Sequence, residues 1–511
     1  MRPGYRIVGV GAASGTFVIL LWAALPIPPG ARAADAGDAP KAKDARMIAQ
    51  GRELFNREWT TNDRRSHGGD GLGPVYNERS CVGCHHQGPA NGGGGTAGTN
   101  IEIITAAPAG GINNNNLANS QGFYYAFSMS YGPDGFEYHI GDPTLLQGQG
   151  QAPARRPGVA NANRNANANL NANANANARA NAANVAALVR IHPGFRDAPG
   201  VVLHRYGNDA DYRVWREWVL SQHGNVAMRS SQRNPTPLFG MGQIDAIPDA
   251  AIEAAARRRH PNSPQVNGRV GRLADGRIGR FGWKAQVATL REFVLQAAAI
   301  EMGLEVPGHA QAGDPRIPPL KAQGLDLNRD ECDALTAFVR SLPAPKVEHA
   351  ANIRETRTLK AGKSLFKSVG CADCHVEKLG SVEGLYSDLL LHAMAPELAD
   401  TPSYAAFLSG ADAPAAHANA NPHPNAAEGR QARRTGPVTE EEWRTPPLWG
   451  LRDSAPYLHD GRAANLDEAI RLHGGEATAA ARRYRQLSPR DQAELRAFLV
   501  SFVAPDDLGP K

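Results

Sequence analysis

The 511-residue chain has few cysteines, few aromatic residues and little excess charge. Its 5 cysteines are too few for the dense disulfide framework of a small secreted domain. The net charge is only +5, and no basic block interleaved with aromatic residues occurs, which argues against nucleic-acid binding. Beyond Leu25 no apolar run is long enough to cross a bilayer. With 42% apolar residues the chain can still build packed cores, and its length allows about two to four domains.

The N-terminus has the pattern of an export signal. Arg2 and Arg6 precede an apolar stretch at 7–25, prolines interrupt it, and Ala-Arg-Ala at 31–33 resembles a cleavage site. We expect cleavage after Ala33 and a mature chain in the periplasm or otherwise exported, with no membrane span. An uncleaved membrane anchor is the alternative.

The rest of the chain repeats itself loosely, with five blocks that occur twice in the same order. The first pair is 51–55 and 362–366, where each block begins with Gly and ends in Leu-Phe. The last pair is two amphipathic helices, predicted over 328–342 and 488–502 from apolar residues at helical spacing. Blocks repeated in a fixed order indicate duplication of a domain, and Pro343 marks the boundary. The predicted domains are 34–345 and 346–511.

Two stretches interrupt this repeat. An insertion at 100–222 lengthens the first domain, and residues 123–131 and 201–206 within it have the composition of strands. The Asn/Ala run at 160–184 and the Ala/Asn/Pro-rich segment at 410–437 are of low complexity, and we expect loops there. We assign no chemistry to either.

A C-x-x-C-H motif occurs once in each predicted domain. With 5 cysteines and 16 histidines in 511 residues, about 0.0015 matches to this pattern are expected by chance. The spacing lets two thiols add to the two vinyl groups of one haem and places the histidine to bind the iron. The cysteines predicted to attach haem are Cys81, Cys84, Cys371 and Cys374, and the histidines predicted to bind iron are His85 and His375.

A four-cysteine zinc site and two redox-active C-x-x-C pairs are the rival interpretations. Neither accounts for a histidine after both pairs, nor for the export signal together with the repeat. We therefore predict two covalently bound c-type haems. The predicted fold is mainly α, with two cytochrome c-like domains from a duplication and a partly β insertion in the first. Cys332 is left over on the apolar face of a predicted helix, where a buried, unreactive thiol is expected.

The two halves differ in what can fill the sixth coordination position of the iron. In the second half His473 lies in a Gly-containing loop before the last helix, where small c-type cytochromes usually place that ligand. Met394 and His459 are its competitors. The first half has Ala297 at the matching position, so its haem is expected to have an open or weakly filled face, which indicates substrate chemistry. The residues that could still fill it are His67, His223 and Met302.

Several further blocks lie outside the two insertions. They are D-G-L-G-P at 70–74 with C-V-G-C-H at 81–85, G-R-F-G-W-K-A at 279–285, D-L-L-L-H at 388–392, W-R-T-P-P-L-W-G at 443–450 and H-D-G-R-A at 459–463. In these blocks the chain resembles the bacterial di-haem oxidoreductases, often labelled thiol oxidoreductases. That family is related to the di-haem cytochrome c peroxidases.

The resemblance implies a division of labour between the two haems. The first haem is the site of peroxide reduction, and the second receives electrons. A tryptophan between the haems assists the transfer, and Trp283 falls near that position. Glu301, which precedes Met-Gly, falls on the acid/base carboxylate of the peroxidases. The resemblance also implies a structural calcium, mapped onto Asn234, Thr445 and Pro447.

Two residues depart from the family pattern. The di-haem oxidoreductases usually read Leu-His-Asp-Met-Gly, whereas 391–395 read L-H-A-M-A here, which weakens a role for Met394. The peroxidases typically carry methionine where this chain has His473. Histidine in place of methionine should lower the potential of the second haem, which puts a high-potential donor role in doubt.

Three functions are compatible with these residues. The first is a peroxidase-like, haem-dependent oxidoreductase with a small-molecule oxidant such as peroxide and a protein electron donor or acceptor. The second is an electron carrier with both irons six-coordinate. The third is an oxidase of a protein partner. None of these residues supports the label of thiol oxidoreductase.

Two complete attachment motifs should give two covalent haems per chain. Acid-acetone extraction is expected to leave all haem on the protein, because thioether bonds survive this treatment. Haem that extracts, or a ratio of one haem per chain, would contradict the prediction.

Overall fold

The structure is a computed structural model of the chain. It describes residues 38–88, 92–108, 127–132, 135–140, 185–196, 198, 200–224, 226–317, 323–347, 351–400 and 436–506. The chain divides into two units, Met1–Asp44 and Ala45–Lys511, and the sites described below lie in the second. The predicted signal sequence at 1–33, the run at 160–184 and residues 410–435 lie outside the described residues.

Helices dominate the described part of the chain, and the sequence shows why several begin where they do. Thr289 and Asn328 each cap a helix through a capping box closed by the glutamate three residues on. Ser488 caps the last helix, with Pro489 at its first position. The helices are α1 (Asp38–Asn56), α2 (Cys81–Cys84), α3 (Tyr212–Val219), α4 (Met241–Asp245), α5 (Asp249–Ala256), α6 (Leu290–Glu301), α7 (Arg329–Ser341), α8 (Ile353–Val369), α9 (Leu466–Arg471), α10 (Thr478–Gln486) and α11 (Pro489–Val500). Residues 185–191 are also helical.

Short 3₁₀ turns and short strands connect these helices. The turns are Ala97–Thr99, Pro193–Arg196, Cys371–Asp373, Pro396–Leu398, Leu451–Asp453 and Gly475–Ala477. The strands are β1 (Val75–Tyr76), β2 (Ile101–Pro108), β3 (Phe127–Gly132), β4 (Gly135–Ile140), β5 (Gly200–Val202), β6 (Tyr206–Gly207), β7 (Val226–Arg233), β8 (Lys346–Val347), β9 (Lys378–Leu379), β10 (Val382–Glu383), β11 (Leu391–Ala393), β12 (Glu442–Arg444) and β13 (Phe502–Val503).

All the strand pairs are antiparallel. The largest sheet has the order β5-β2-β7, with Ile103 opposite Val202 on one side and Ser231 on the other. The remaining pairs are β1 with β6, β3 with β4, β8 with β13, β9 with β10, and β11 with β12. The last of these pairs, with Leu391 opposite Arg444, supplies residues to one of the candidate sites.

Two helix pairs cross at a glycine, at corresponding positions of the two halves. A Cβ atom added to Gly51 of α1 would lie 2.0 Å from the carbonyl oxygen of Ala334 in α7. A Cβ atom added to Gly362 of α8 would lie 2.1 Å from the carbonyl oxygen of Glu494 in α11. Any larger residue would force the helices apart, so both crossings depend on glycine.

Four apolar clusters fill the interior of the described part of the chain, and the smallest consists of Ile101, Val202 and Ile300. The largest joins α1, α4, α6 and α7 around Phe281 and Phe338, and it includes Leu389 and Trp449 from the second half of the chain. A second packs α8, α10 and α11 around residues such as Phe366, Tyr484, Phe498 and Phe502. The third lies under the β5-β2-β7 sheet.

The predicted helix-rich fold with some strands is confirmed. The helices expected at 328–342 and 488–502 are α7 and α11. The strand expected at 201–206 is only partly right, because the chain leaves the sheet after β5 and returns as β6, which pairs with β1 instead of β2. His204 stands at this break and is buried, with its Nε2 donating to the carbonyl oxygen of Ile300 at 2.9 Å. No helix among the described residues is both long and apolar enough to cross a membrane.

A buried ion pair fastens β12 to the segment beside β11. The Arg269 guanidinium donates to both carboxylate oxygens of Glu442, at 2.6 and 2.7 Å. Both side chains are buried, and the backbone of Arg269 pairs with Leu391. Burial alone would raise the pKa of Glu442, but the guanidinium holds this pKa below its ordinary value.

We expect Glu442→Gln to lower the free energy of unfolding by about 3 kcal/mol, because Arg269 would be left buried without its anion. Since the folded-state pKa is lowered, the ion pair stabilises the protein above the unfolded-state pKa and loses this effect as pH falls through the folded-state pKa. The difference between wild type and variant, measured by urea unfolding, should therefore shrink in acid. Glu253→Gln, which breaks an exposed pair with Arg272, is the control and should cost less than about 1 kcal/mol. Equal effects of the two substitutions would contradict this account.

Candidate haem sites

The first C-x-x-C-H motif forms one wall of a cavity. Cys81 and Cys84 bound helix α2, which Ser80 caps by accepting a hydrogen bond from the backbone of Gly83. Cys81, Cys84 and His85 all line the cavity, which has a volume of about 1100 Å³ including its open mouth. Both thiols and the imidazole of the motif thus reach the same space.

The imidazole of His85 is fixed in one orientation. Its Nδ1 lies 3.2 Å from the carbonyl oxygen of Gly93, which can only accept, so Nδ1 carries the proton. Burial lowers the pKa of His85 to about 4, which keeps the ring neutral. The ring packs near Phe55 of α1, with 6.5 Å between centroids. A neutral imidazole with Nδ1–H on a carbonyl has the Nε2 lone pair that binds a metal.

The second motif has the same arrangement in a separate cavity. Cys371, Cys374 and His375 line a space of about 1750 Å³, including its open mouth. The Nδ1 atom of His375 lies 2.9 Å from the carbonyl oxygen of Tyr386, and the ring lies 6.5 Å from that of Phe366. Burial and then the proximity of His473 lower the pKa of His375 to about 4. The two motifs therefore present equivalent groups to equivalent cavities.

The cysteine pairs do not fit the rival interpretations. All four motif cysteines are free thiols, and burial raises the pKa of Cys81 and of Cys371 to about 12. Such thiols are not the activated thiolates of a redox-active pair. Because each pair lines its own cavity, the four sulfurs do not form one zinc site, and no group of three or more potential metal ligands occurs in the described ranges. Cys332, fully buried as predicted, stands apart from both motifs.

His473 lines the second cavity together with His375. Its Nδ1 lies 2.7 Å from the carbonyl oxygen of Ala469, and burial lowers its pKa. It therefore shares the neutral, Nδ1-protonated state of the two motif histidines. The competitors Met394 and His459 line this cavity too. The ring of His459 stacks on the indole of Trp443, with 3.7 Å between centroids and 16° between planes, so one of its faces is covered.

The first cavity has a different lining opposite its motif. Gln296, Ala297, Glu301 and Met302 of α6 and its C-cap face the space, and His85 is the only histidine among the described lining residues. Two of the predicted alternative ligands lie elsewhere, since His67 bonds Glu331 at 2.7 Å and His223 bonds the carbonyl oxygen of Val219 at 3.0 Å. Met302 is buried and lines the cavity.

The carboxylate of Glu301 is held at the end of α6. Its Oε2 accepts a hydrogen bond of 2.7 Å from the side-chain amide of Asn77, and its carbonyl accepts one of 2.7 Å from the backbone of Asn77. Glu301 also lines the first cavity. The structure thus brings the predicted acid/base carboxylate to the same space as Cys81, Cys84 and His85.

The indole of Trp283 is part of the wall of both cavities. Its Nε1 donates to the carbonyl oxygen of Asn234 at 2.9 Å, and its own carbonyl accepts from the backbone of Arg444 at 2.9 Å. Asn234 and Pro235 line both cavities as well. Trp283 is therefore placed where a residue between two haems would lie.

The three residues mapped to a calcium, Asn234, Thr445 and Pro447, all line the second cavity. The carbonyl oxygen of Asn234 already accepts from Trp283, and that of Thr445 accepts from the hydroxyl of Ser387 at 2.7 Å. Calcium takes six to eight oxygen ligands, and a calcium at these residues stays a prediction.

Three residues of the second cavity were not predicted from the sequence. Arg444 is buried with its Nε donating to the carbonyl of Gly282 at 2.7 Å, and burial lowers its pKa to about 10. His392 and Glu476 are also buried and line the cavity. Arg444 and His392 lie in blocks that carry the family resemblance, and this membership is the sequence feature that could have marked them as site residues. Glu476 is marked only by its position three residues after His473.

One comparison with known proteins relates part of the chain to a family of haem oxidoreductases. Residues 423–502 match the family described as "Di-haem oxidoreductase, putative peroxidase". Over this segment, which includes β12, α9 to α11 and His473, the predicted resemblance to the di-haem oxidoreductases is confirmed. The family implies haem cofactors and oxidoreductase chemistry. None of the curated protein sequences matches the chain.

Some solved structures are similar over part of the chain. Hydrazine synthase from Kuenenia stuttgartiensis is 18% identical, with a TM-score of 0.27, over 53% of this chain and 72% of that one. A MauG-like protein associated with microbial copper homeostasis is 17% identical, with a TM-score of 0.26, over 52% and 92%. The di-haem peroxidase BthA from Burkholderia thailandensis is 17% identical, with a TM-score of 0.22, over 35% and 52%. None of these likenesses is close enough to indicate a function.

Proposed function

We propose that the protein is an exported di-haem c-type cytochrome that acts as a peroxidase-like oxidoreductase. In this proposal electrons enter at the second haem, and the substrate reacts at the first. One observation carries it. Each cavity presents two cysteines and one histidine of a C-x-x-C-H motif. Among the described lining residues, the first cavity has no further histidine, whereas the second adds several, including the neutral His473 with its proton on Nδ1.

Both cavities suit a haem. Each offers two thiols for the vinyl groups and a neutral imidazole for the iron, beside apolar walls such as Phe55 and Leu335 in the first. Arg444 adds a buried cation to the wall of the second, and such a charge favours an anion beside it. Arg444 would hold a carboxylate of the haem there.

Two cytochrome c-like domains from a duplication account for the paired features. The helix crossings at Gly51 and Gly362, and the positions of Phe55 and Phe366 against the two motif histidines, are equivalent in the two halves. The sheet of β2, β5 and β7 belongs to the longer first half, where the insertion at 100–222 was predicted.

When bound, a haem with an open face supplies an iron centre at which peroxide can be reduced. Glu301 would move a proton from the inner to the outer peroxide oxygen, a task for a carboxylate held at the edge of that space. Trp283 would lie between the two haems and assist electron transfer. The apolar walls of the first cavity would limit the access of water.

An electron carrier with both irons six-coordinate is the second candidate. The buried side chain of Met302, which lines the first cavity, favours it. Absorption spectra of the oxidised and half-reduced protein separate the two candidates. A high-spin signal supports the oxidoreductase, and purely low-spin spectra support the carrier.

His473→Met tests the ligand of the second haem. The iron should stay low-spin while its potential rises, because a thioether favours ferrous iron more than an imidazole does. The first haem, titrated in the same experiment, serves as the internal control and should keep its potential. Unchanged potentials of both haems would show that the ligand lies elsewhere.

Glu301→Gln tests the acid/base residue. The substitution is nearly isosteric, so haem content should be preserved while peroxide turnover with a reduced donor falls by about 10²–10⁴-fold. Electron uptake by the second haem should stay normal. Glu253→Gln, on the exposed surface, is the matched control.

Two results would count against this proposal in different ways. If the half-reduced wild type turns over no peroxide, the peroxidase-like function is wrong, and the function of an electron carrier is favoured. If the wild type turns over peroxide and Glu301→Gln matches it, only the assignment of Glu301 is wrong.

A further inference from the structure

Asp388, His392 and Glu476 form a buried chain of charged side chains beside the second cavity. The Nε2 of His392 lies 3.0 Å from Oδ2 of Asp388, and its Nδ1 lies 2.8 Å from Oε2 of Glu476. The three residues are 3%, 4% and 7% exposed, so no solvent screens them. The same Nδ1 lies 3.7 Å from the sulfur of Cys374, an attachment cysteine.

The ring of His392 carries a positive charge in this arrangement. Ionised carboxylates only accept hydrogen bonds, so both ring nitrogens must donate. Burial alone would lower the pKa of His392, but Cys374 and Asp388 raise it well above its ordinary value. A thioether sulfur would carry no charge, and the two carboxylates would then hold the imidazolium. With both nitrogens engaged, His392 is not available to bind iron, although it lines the same cavity as His473.

Glu476 connects this chain to the loop that carries His473. It lies three residues after His473, in the turn Gly475–Ala477. Its Oε2 also accepts from the backbone of Asn267 at 2.8 Å, and its Oε1 accepts from the backbone of Ala393 at 3.2 Å. One carboxylate therefore joins the loop to β11 and to the segment before Arg269.

The backbone of the loop lies directly against β11. Gly475 has φ +55°, and a Cβ atom there would lie 2.3 Å from the carbonyl oxygen of Ala393. On the other side of the imidazole, a Cβ atom on Gly268 would lie 2.5 Å from Cε1 of His392. Glycine at both positions lets the backbone enclose the charged chain without space for movement.

We infer that Asp388, His392 and Glu476 position His473 over the second haem and lower the potential of that haem. This inference rests on the proposed function, because it takes His473 as the iron ligand. The three residues are positioning residues. Glu476 belongs to the loop, His392 lies against the sulfur of the attachment cysteine Cys374, and Asp388 holds the other nitrogen of His392.

The charge of the chain gives the direction of the effect on potential. The Glu476 carboxylate is a buried negative charge in the wall of the second cavity, and such a charge stabilises ferric iron over ferrous iron and so lowers the potential. Arg444 lies close enough to Asp388 to feel its charge, and it remains in every variant below. Removing the charge of Glu476 should therefore raise the potential of the second haem.

Two substitutions of Glu476 separate charge from position. Glu476→Gln keeps an oxygen that accepts from His392 and Asn267, and it removes the charge together with the longer bond of 3.2 Å from the backbone of Ala393. It should raise the potential of the second haem and leave its low-spin absorption spectrum unchanged. Glu476→Ala also removes the bonds that hold the loop. It should add a high-spin fraction and bind added cyanide about 10-fold faster, since loss of a residue that orients a metal ligand typically changes the metal site by 10–100-fold.

Glu383→Gln is the matched control, because Glu383 is an exposed carboxylate of the same half that pairs with Lys378. It should leave the spectrum, the potential and the cyanide rate at wild-type values. The haem content of each purified holoprotein is measured first. If Glu476→Ala does not retain both haems, Glu476→Gln decides: a raised potential supports the inference, and a wild-type potential overturns it.

The outcomes distinguish this inference from the function on which it rests. If His473→Met shifts the second haem as expected but both Glu476 variants behave like wild type, the positioning role is wrong and the function stands. If His473→Met changes neither spectrum nor potential, the ligand assignment fails, and the positioning of His473 fails with it. A rise in potential that Glu383→Gln also produces would show an unspecific effect of charge and overturn the inference.

Discussion

The close approach of two helices at a single glycine is the constraint on which each half of the structure depends. With Gly51 against α7 and Gly362 against α11, the helix backbones touch, and the side chains around the contact are pushed to its edges. Phe55 and Phe366, four residues after these glycines, thereby reach the rings of the two motif histidines. Each crossing therefore supplies a phenylalanine to the wall of one cavity, beside the motif histidine.

The two cavities share this frame and differ in the loops that complete them. In each cavity, a backbone carbonyl orients the imidazole of the motif histidine. The ring is neutral because a charged ring would be costly in an apolar space. A Gly-Gly turn brings His473 to the second cavity. The first is closed instead by the end of α6, which offers a carboxylate and a thioether. The same pair of crossed helices and motif histidine thus occurs beside two chemically different sites.

The sequence predicted the features that local patterns determine. Apolar spacing predicted α7 and α11, and the C-x-x-C-H spacing predicted which side chains share a cavity. Contacts between distant residues could not be predicted in this way. Glu476 bonds His392 across 84 positions, and the pairing of β6 with β1 interrupts what reads as one continuous strand. Such contacts depend on how whole segments pack, and a single sequence carries no local signal for them.

Asn234, Pro235 and Trp283 belong to the walls of both cavities. A wall with two faces has a consequence for genetics: a substitution at any of these positions alters two environments at once. Its phenotype in the cell therefore combines the effects on both sites. Alleles that report on one site alone have to come from residues such as Glu301 or His473, each of which faces a single cavity.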